Sequence, residues 1–271
     1  MTDRYASFNR LLFDRPAPYV LRVTINNPEK MNALDAAAHH QLETVWAAID
    51  DDLQTRVSIV TGAGRGFSSG GAFDAMPTES SLDPNQVFSK GFREASRLVS
   101  SIINARKPII SAINGPAVGA GLAIALLADI PIAAKQAKLL DGHLRIGVVP
   151  GDHAAMIWPL LCGIAKAKYF LMTNATMTGE EAAQINLVAL AVDASELQDK
   201  AVEVARQLAA TAPSALRMTK YALNHWLRQN QPIFDLALAF EMVNFSGDEA
   251  KKAMEEMTTK TAANFDDNVQ F

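Results

Sequence analysis

The sequence predicts a mixed α/β protein with an all-helical C-terminal region, and three observations carry that reading. First, short β-branched runs alternate with stretches of helical spacing through residue 193, as expected for layers of strands and helices. Second, the run from Pro108 to Ala128 carries no charge but is interrupted by Asn114, Pro116 and three glycines. It therefore reads as a buried strand, a turn and an internal helix rather than a membrane span. Third, strands give way after Asp193 to helices expected over 195–210, 214–228, 233–245 and 249–258. The expected organisation is an α/β body over 1–193 and a helical oligomerisation region over 194–271.

Taken in order, 8–14 and 19–25 alternate as strands do, with Arg15-Pro16-Ala17-Pro18 as the hairpin connection. Residues 26–33, NNPEKMNA, form a loop, and Asp35 caps a helix running to about Ile49 with Leu42, Val45, Trp46 and Ile49 on one face. A short buried strand over 57–60 leads into the loop GAGRGFSSGG at 62–71. An irregular stretch over 72–83 precedes a long helix over 85–104. The strand 109–113, the Asn-Gly-Pro turn and a helix over 119–127 follow. Strands are expected over 130–134 and 137–140. Then come the turn DGHLRIGVVPGD and helices over 152–161 and 165–172. Thr178-x-x-Glu181 resembles a capping box, and 188–192 reads as a strand. NFDDNVQF at the end reads as a loose tail.

The totals exclude several classes. A net charge of −4 without a basic cluster argues against a nucleic-acid partner. Cys162 is the only cysteine, so neither a disulfide framework nor a cysteine zinc site is expected. MTDRYASF lacks the apolar core of a signal peptide, which points to a cytoplasmic setting with no membrane partner. Both Gly-x-Gly sites lack the third glycine of a dinucleotide loop, having Phe67 and Ile124 there. The histidines have no metal-ligand spacing, so no metal is expected. What remains is the start of the helix after Gly119. Its free N–H groups and positive dipole end lie in an apolar setting, suited to a developing negative charge.

Five segments resemble the crotonase (enoyl-CoA hydratase/isomerase) superfamily. They are NPEKMNAL at 27–34, VSIVTGAGRGFSSGG at 57–71, KPIISAINGPAVGAGLAIALLADI at 107–130, GVVPGD at 147–152 and FEMVNFSGDEAKKAMEEM at 240–257. The resemblance implies a repeated β-β-α core, helical C-terminal trimerisation (a trimer or dimer of trimers) and an acyl-CoA thioester substrate without a separate cofactor. It also implies an oxyanion hole formed by the N–H groups of Gly71 and Ala120, with Met31, Ala33, Ser69, Phe73 and Trp158 lining the substrate pocket. A plainer role for Gly71 is a tight turn.

The departures from the pattern redirect the chemistry. The two glutamates of the family's hydratases fall on Ala123 and His143, and the aspartate that commonly follows the first oxyanion residue is Ala72. His143 with Asp152, followed by Trp158-Pro159, resembles 6-oxocamphor hydrolase and related β-diketone hydrolases of the same superfamily. That likeness implies retro-Claisen C–C hydrolysis, with His143 activating water, Asp152 orienting it, and His39 and Glu241 nearby. Plainer roles stand beside these: Asp152 as a helix cap, His143 as a turn residue, and His39 and Glu241 as packing residues. His153 and His225 read as surface or packing residues. The expected function is enolate stabilisation, first in C–C hydrolysis of a β-diketone. The alternatives are an enoyl-CoA hydratase or isomerase with His143 as base, and a catalytically silent binding or assembly subunit.

Overall fold

The computed structural model describes residues 3–72 and 84–259. Its main sheet has six strands in the order β1 (Leu11–Ala17), β2 (Val20–Ile25), β3 (Val57–Gly62), β4 (Ile109–Ile113), β6 (Ile130–Ala134) and β9 (Leu190–Val192). Only β1 runs antiparallel to its neighbour. The other pairs are parallel. β3 and β4 are buried along their whole length, so neither alternates apolar and exposed residues, and the hydroxyls of Ser58, Thr61 and Ser111 within them donate to backbone carbonyls. A second small sheet joins β5 (Ala117–Val118), β7 (Lys138–Leu140) and β8 (Met177–Thr178).

The hairpin differs from the expected one. β1 continues through Pro16 to Ala17, and the turn is Pro18-Tyr19 with Tyr19 at φ 62°. Pro16 is tolerated because β1 is an edge strand whose ladder slips between Asp14 and Ala17.

Helix α1 (Ala36–Asp50) is capped as expected, with the Asp35 carboxylate accepting from Ala38 N. It packs on α2 (Pro84–Asn104). The eight-residue α3 (Ala120–Leu127) has every residue after Ala120 buried, so an apolar surface on all sides is what its place in the core requires. Helices α4 (Ala154–Cys162) and α5 (Ile164–Thr173) follow. α6 (Gly179–Gln184) starts with the reciprocal Thr178–Glu181 box.

Beyond β9, α7 (Leu197–Ala209) packs on β3 and β4, and its Leu197, Ala201 and Ala205 join the same apolar core as the sheet. The helix expected over 214–228 is two, α8 (Pro213–Leu223) and α9 (His225–Gln229), separated at Asn224. Asn224 is held there by its Nδ2 donating to Ile103 O. α10 (Gln231–Phe245) packs on α2 and α4, and α11 (Asp248–Thr259) covers the short helical turn His143–Ile146. None of the described helices is long and apolar enough to cross a membrane. Of the expected irregular stretch over 72–83 all but Ala72, and the whole tail over 264–271, lie outside the described residues.

Candidate active site

One wall of the site is backbone. β4 ends in the Asn-Gly-Pro turn, where the Asn114 side chain donates to Gly62 O, Gly64 O and Gly66 O and accepts from Gly62 N. The loop 66–72 is thereby brought alongside the turn. A Cβ on Gly115 would lie 2.0 Å from Arg65 O, so the two backbones touch directly and only glycine fits. Ser68 N donates to Pro116 O (3.1 Å) and Val118 N to Ser68 O (3.0 Å). On the opposite side Leu34 N donates to Gly70 O (2.8 Å) and Ala72 N to Leu34 O (3.0 Å). Those two bonds use the groups flanking Gly71, so the Gly71 N–H turns away from Leu34.

Gly70 stands against the start of α3: a Cβ there would lie 3.6 Å from Ala120 N. The first bond inside α3 is Ala123 N to Gly119 O, so the helix itself does not use the N–H groups of Ala120, Gly121 and Leu122. Gly71 and Ala120, the residues expected to form the oxyanion hole, therefore sit on adjoining backbone segments. Each has an N–H that its own element leaves unused. The positive end of the α3 dipole points to the same place.

The second wall is a buried cluster of acids and histidines. His143 opens the short helical turn after β7, and its ring lies beside Gly119. Its Nδ1 is 2.9 Å from Asp141 Oδ1. Its Nε2 is 3.7 Å from Asp152 Oδ2 and 3.6 Å from Glu241 Oε1. Asp152 precedes α4, and Glu241 comes from α10, nearly ninety positions along the chain. Asp152 Oδ1 bonds His153 Nδ1, and Trp158 Nε1 donates to His153 Nε2 (3.3 Å). Asp141 Oδ2, Asp152 Oδ2 and Glu241 Oε2 are buried without a hydrogen-bond partner among the described residues.

Charge follows from this crowding. Burial alone would lower the His143 pKa, but the Asp152, Asp141 and Glu241 carboxyls outweigh it and hold the ring well above the usual imidazole value. Burial likewise works to raise Asp152. The charge of His143 and the hydrogen bond from His153 Nδ1 work against it and hold the carboxyl at about 2. Glu241 is pushed up to about 8, chiefly by burial and further by Asp152 and Asp141, against the pull of His143. Near neutral pH the cluster thus holds an imidazolium at His143, a carboxylate at Asp152 and a neutral acid at Glu241.

Several expectations are corrected here. The hydrogen bond expected between His143 and Asp152 is not made, because Asp141 takes the ring's Nδ1 and Asp152 bonds His153. A ring kept cationic by the carboxylates of Asp152 and Asp141 is not the resting water base that was expected of it. Asp152 is not a helix cap: α4 begins at Ala154, and its N-terminus has no side-chain cap. Trp158 is 1% exposed and supports His153 from behind rather than lining a pocket. His153 is a fully buried polar link rather than a surface or packing residue.

Met31, Ala33 and Ser69 belong to the loop contact that carries Gly71. Ser69 N donates to Met31 O (2.9 Å), Arg65 Nε approaches Met31 Sδ (3.0 Å), and Ala33 is buried. Phe73 lies outside the described residues. His39 is half-buried on α1. Burial lowers its pKa, while the acids acting on it, Glu94, Glu43 and Asp152, work the other way. His40 points outward.

Asp141 and His153 were missed. Asp141 stands two positions before His143 and His153 directly after Asp152, but a sequence does not say which way a turn aims its side chains. Asp141, Asp152 and His153 bring possible metal-ligand atoms within reach of one another. Both ring nitrogens of His153 are engaged, however, and the His143 cation already faces both carboxyls.

Comparison with known proteins places these features in a wider set. Residues 17–268 match the family model described as enoyl-CoA hydratase/isomerase. A short-chain-enoyl-CoA hydratase of Clostridium acetobutylicum is 32% identical over 240 residues, covering 86% of this chain and 88% of the relative. An (E)-benzylidenesuccinyl-CoA hydratase of Thauera aromatica is 33% identical over 205 residues, covering 75% of this chain and 78% of the relative. Among solved structures, an enoyl-CoA hydratase/isomerase from Pseudoalteromonas atlantica T6c superposes with a TM-score of 0.84 at 25% identity. That match covers 95% of this chain and all of the other.

Proposed function

The chain belongs to the enoyl-CoA hydratase/isomerase family, within the crotonase superfamily, and on that premise we propose that it adds water to, or removes it from, an acyl-CoA thioester through an enolate. The observation that carries the reading is the juxtaposition of two elements. One is the free backbone N–H groups at the start of α3. The other is a buried acid–imidazolium–acid cluster in which Asp152 Oδ2 and Glu241 Oε1 approach His143 Nε2, and Asp152 Oδ2 and Glu241 Oε2 have no hydrogen-bond partner among the described residues. The hydratase names of the relatives support the thioester class.

The chemistry then divides among the chain's own groups. The thioester oxygen rests on the N–H groups of Gly71 and Ala120. Water lies between Asp152 and Glu241. As its oxygen bonds the β-carbon, Asp152 takes the released proton and the C=C electron pair moves onto the thioester oxygen as an enolate. Glu241, held protonated, gives its proton to the α-carbon as the enolate collapses. Passage of the proton from Asp152 to Glu241 restores the site. His143 stays charged between the two acids and stabilises the negative charge passing between them.

A second reading, hydrolysis of the C–C bond of a β-diketone, is favoured by one observation. The positions of the hydratase glutamates are occupied by Ala123 and His143. Turnover in ¹⁸O-labelled water separates the two readings. Crotonyl-CoA should yield a β-hydroxy thioester with one ¹⁸O on the β-carbon. If crotonyl-CoA is inert while a cyclic 1,3-diketone gives a keto acid labelled in its carboxylate, the C–C reading replaces the thioester reading.

A further inference from the structure

The proposed chemistry assigns nothing to the buried pair His153 and Trp158, yet hydrogen bonds link them in a chain to Asp152. Trp158 is 1% exposed and His153 is fully buried, so water does not compete for their polar groups. An indole N–H can only donate. The 3.3 Å contact from Trp158 Nε1 therefore makes His153 Nε2 an acceptor, and the ring's single proton must lie on Nδ1. That Nδ1 faces Asp152 Oδ1. Asp152 is thus gripped by one oxygen while the other, Oδ2, is left unpartnered and directed toward His143 Nε2.

We propose that His153, locked in its Nδ1–H tautomer by Trp158, is a positioning residue that fixes the rotamer of Asp152 and so presents Asp152 Oδ2 to the reacting water. The kinetic part rests on the water chemistry proposed above; the tautomer does not. Both partners lie in the sequence stretch DHAAMIW (152–158), so α4 is the frame that holds the chain in register. Asp152 and His153 precede the helix, and Trp158 sits in its second turn with the ring of His153 folded back against it.

The alternative is that His153 merely fills space. That alternative predicts that any residue of similar volume would serve. It also leaves the two hydrogen bonds without consequence, although a buried polar group is costly unless bonded on both sides.

Two experiments separate these readings, and the first needs no substrate. In ¹⁵N-histidine spectra of the intact protein at neutral pH, one imidazole should show a protonated Nδ1 and a bare Nε2. Its Nδ1–H proton should be far downfield and move upfield in Asp152→Asn. An Nε2–H tautomer or an imidazolium at His153 would overturn the proposal outright.

The second compares His153→Phe, which keeps a ring and deletes both bonds, with His153→Asn, whose amide can replace the Nδ1–H donor. With crotonyl-CoA, kcat for His153→Phe should fall by about 10- to 100-fold, the scale seen when partners that orient a functional side chain are removed. KM should hold within about twofold, since binding of the thioester is untouched. His153→Asn should recover most of the loss. The acid limb of the pH–rate profile should also rise in His153→Phe, because Asp152 loses a bond to its charged form. The other groups acting on Asp152 are unchanged in that comparison: His143 and, through it, Asp141 and Glu241, with His39 from α1. Equal losses in both variants with an unmoved acid limb would show packing alone. If crotonyl-CoA is inert but the spectra show the predicted tautomer, the thioester reading fails while the His153 assignment stands; the same variants are then read on the 1,3-diketone.

Discussion

Glu241→Gln tests the electrostatic account through stability, without reference to any substrate. Folding moves the Glu241 pKa from its ordinary value of 4.5 to about 8. Between those values the folded chain holds a proton that the unfolded chain has released. Stability from this group is therefore fully present below pH 4.5, drains as pH rises and is gone above about pH 8. The whole span corresponds to roughly 5 kcal/mol, at about 1.4 kcal/mol per pH unit.

Other groups contribute slopes of their own. His143, with a raised pKa, contributes stability that is present below the ordinary imidazole value and lost as pH rises through its folded value. Asp152 acts only at the acid end: its contribution is present above pH 3.8 and lost as pH falls toward 2. Comparing wild type with Glu241→Gln cancels these terms to first order. Urea unfolding followed by circular dichroism at pH 5, 6, 7 and 8 gives the comparison. The variant should gain on the wild type by roughly 4 kcal/mol between pH 5 and pH 8, since that interval covers most of the span. Parallel curves for the two proteins would mean that Glu241 ionises normally, and the proposed acid would be lost.

Other outcomes follow from the same physics. Because Glu241 must be protonated to act, kcat should fall on the alkaline side with a midpoint near 8, as a pH–rate profile would show. Lys220 Nζ is 2.7 Å from Asp129 Oδ2 at a partly buried contact between α8 and the residue before β6. Lys220→Met should cost about 3 kcal/mol in unfolding, because the largely buried Asp129 loses its counter-charge and keeps only the bond from Ile109 N; adding Asp129→Asn should recover much of the loss. Asn32 is fully buried, accepts from Asn27 N and donates to Ala63 O and Gly66 O at φ 56°. Asn32→Ala should cost about 3 kcal/mol and lower kcat as well, since the loop it braces carries Gly71.

How much of this was legible in the sequence depended on how local each signal was. Strands 109–113 and 130–134 were read to the residue, because buried parallel strands are unbroken apolar runs bounded by turns or charges. The capping box at Thr178 was legible because its partners are three residues apart. The hairpin was misplaced because proline usually marks a turn, and only the edge position of β1 makes Pro16 acceptable within a strand.

At the site, His143, Asp152 and Glu241 were found only through family resemblance. No spacing rule connects α10 to a turn about ninety residues earlier. Their charge states were not legible at all. A His143–Asp152 pair alone suggests a neutral base, and the sequence does not show that Asp141 also turns its carboxylate onto the ring, so that two carboxylates hold it as a cation. The hydrogen bond from Trp158 to His153 needs a helical turn between them, so one was read as a pocket residue and the other as packing.

The central claim is that the N–H groups of Gly71 and Ala120 hold an enolate while the adjacent cluster moves its proton. Exchange of α-hydrogens in D₂O tests it most directly, because exchange reports the enolate whether or not turnover completes. Butyryl-CoA, a saturated thioester that cannot be hydrated, would be incubated near pH 8, where Glu241 is partly ionised and can take the α-proton, with wild type and Glu241→Gln, and its α-carbon read by mass spectrometry. The account predicts deuterium at the α-carbon with wild type and its loss with the variant. Absence of α-exchange with wild type, while crotonyl-CoA is turned over, would show that water chemistry here does not pass through the proposed enolate.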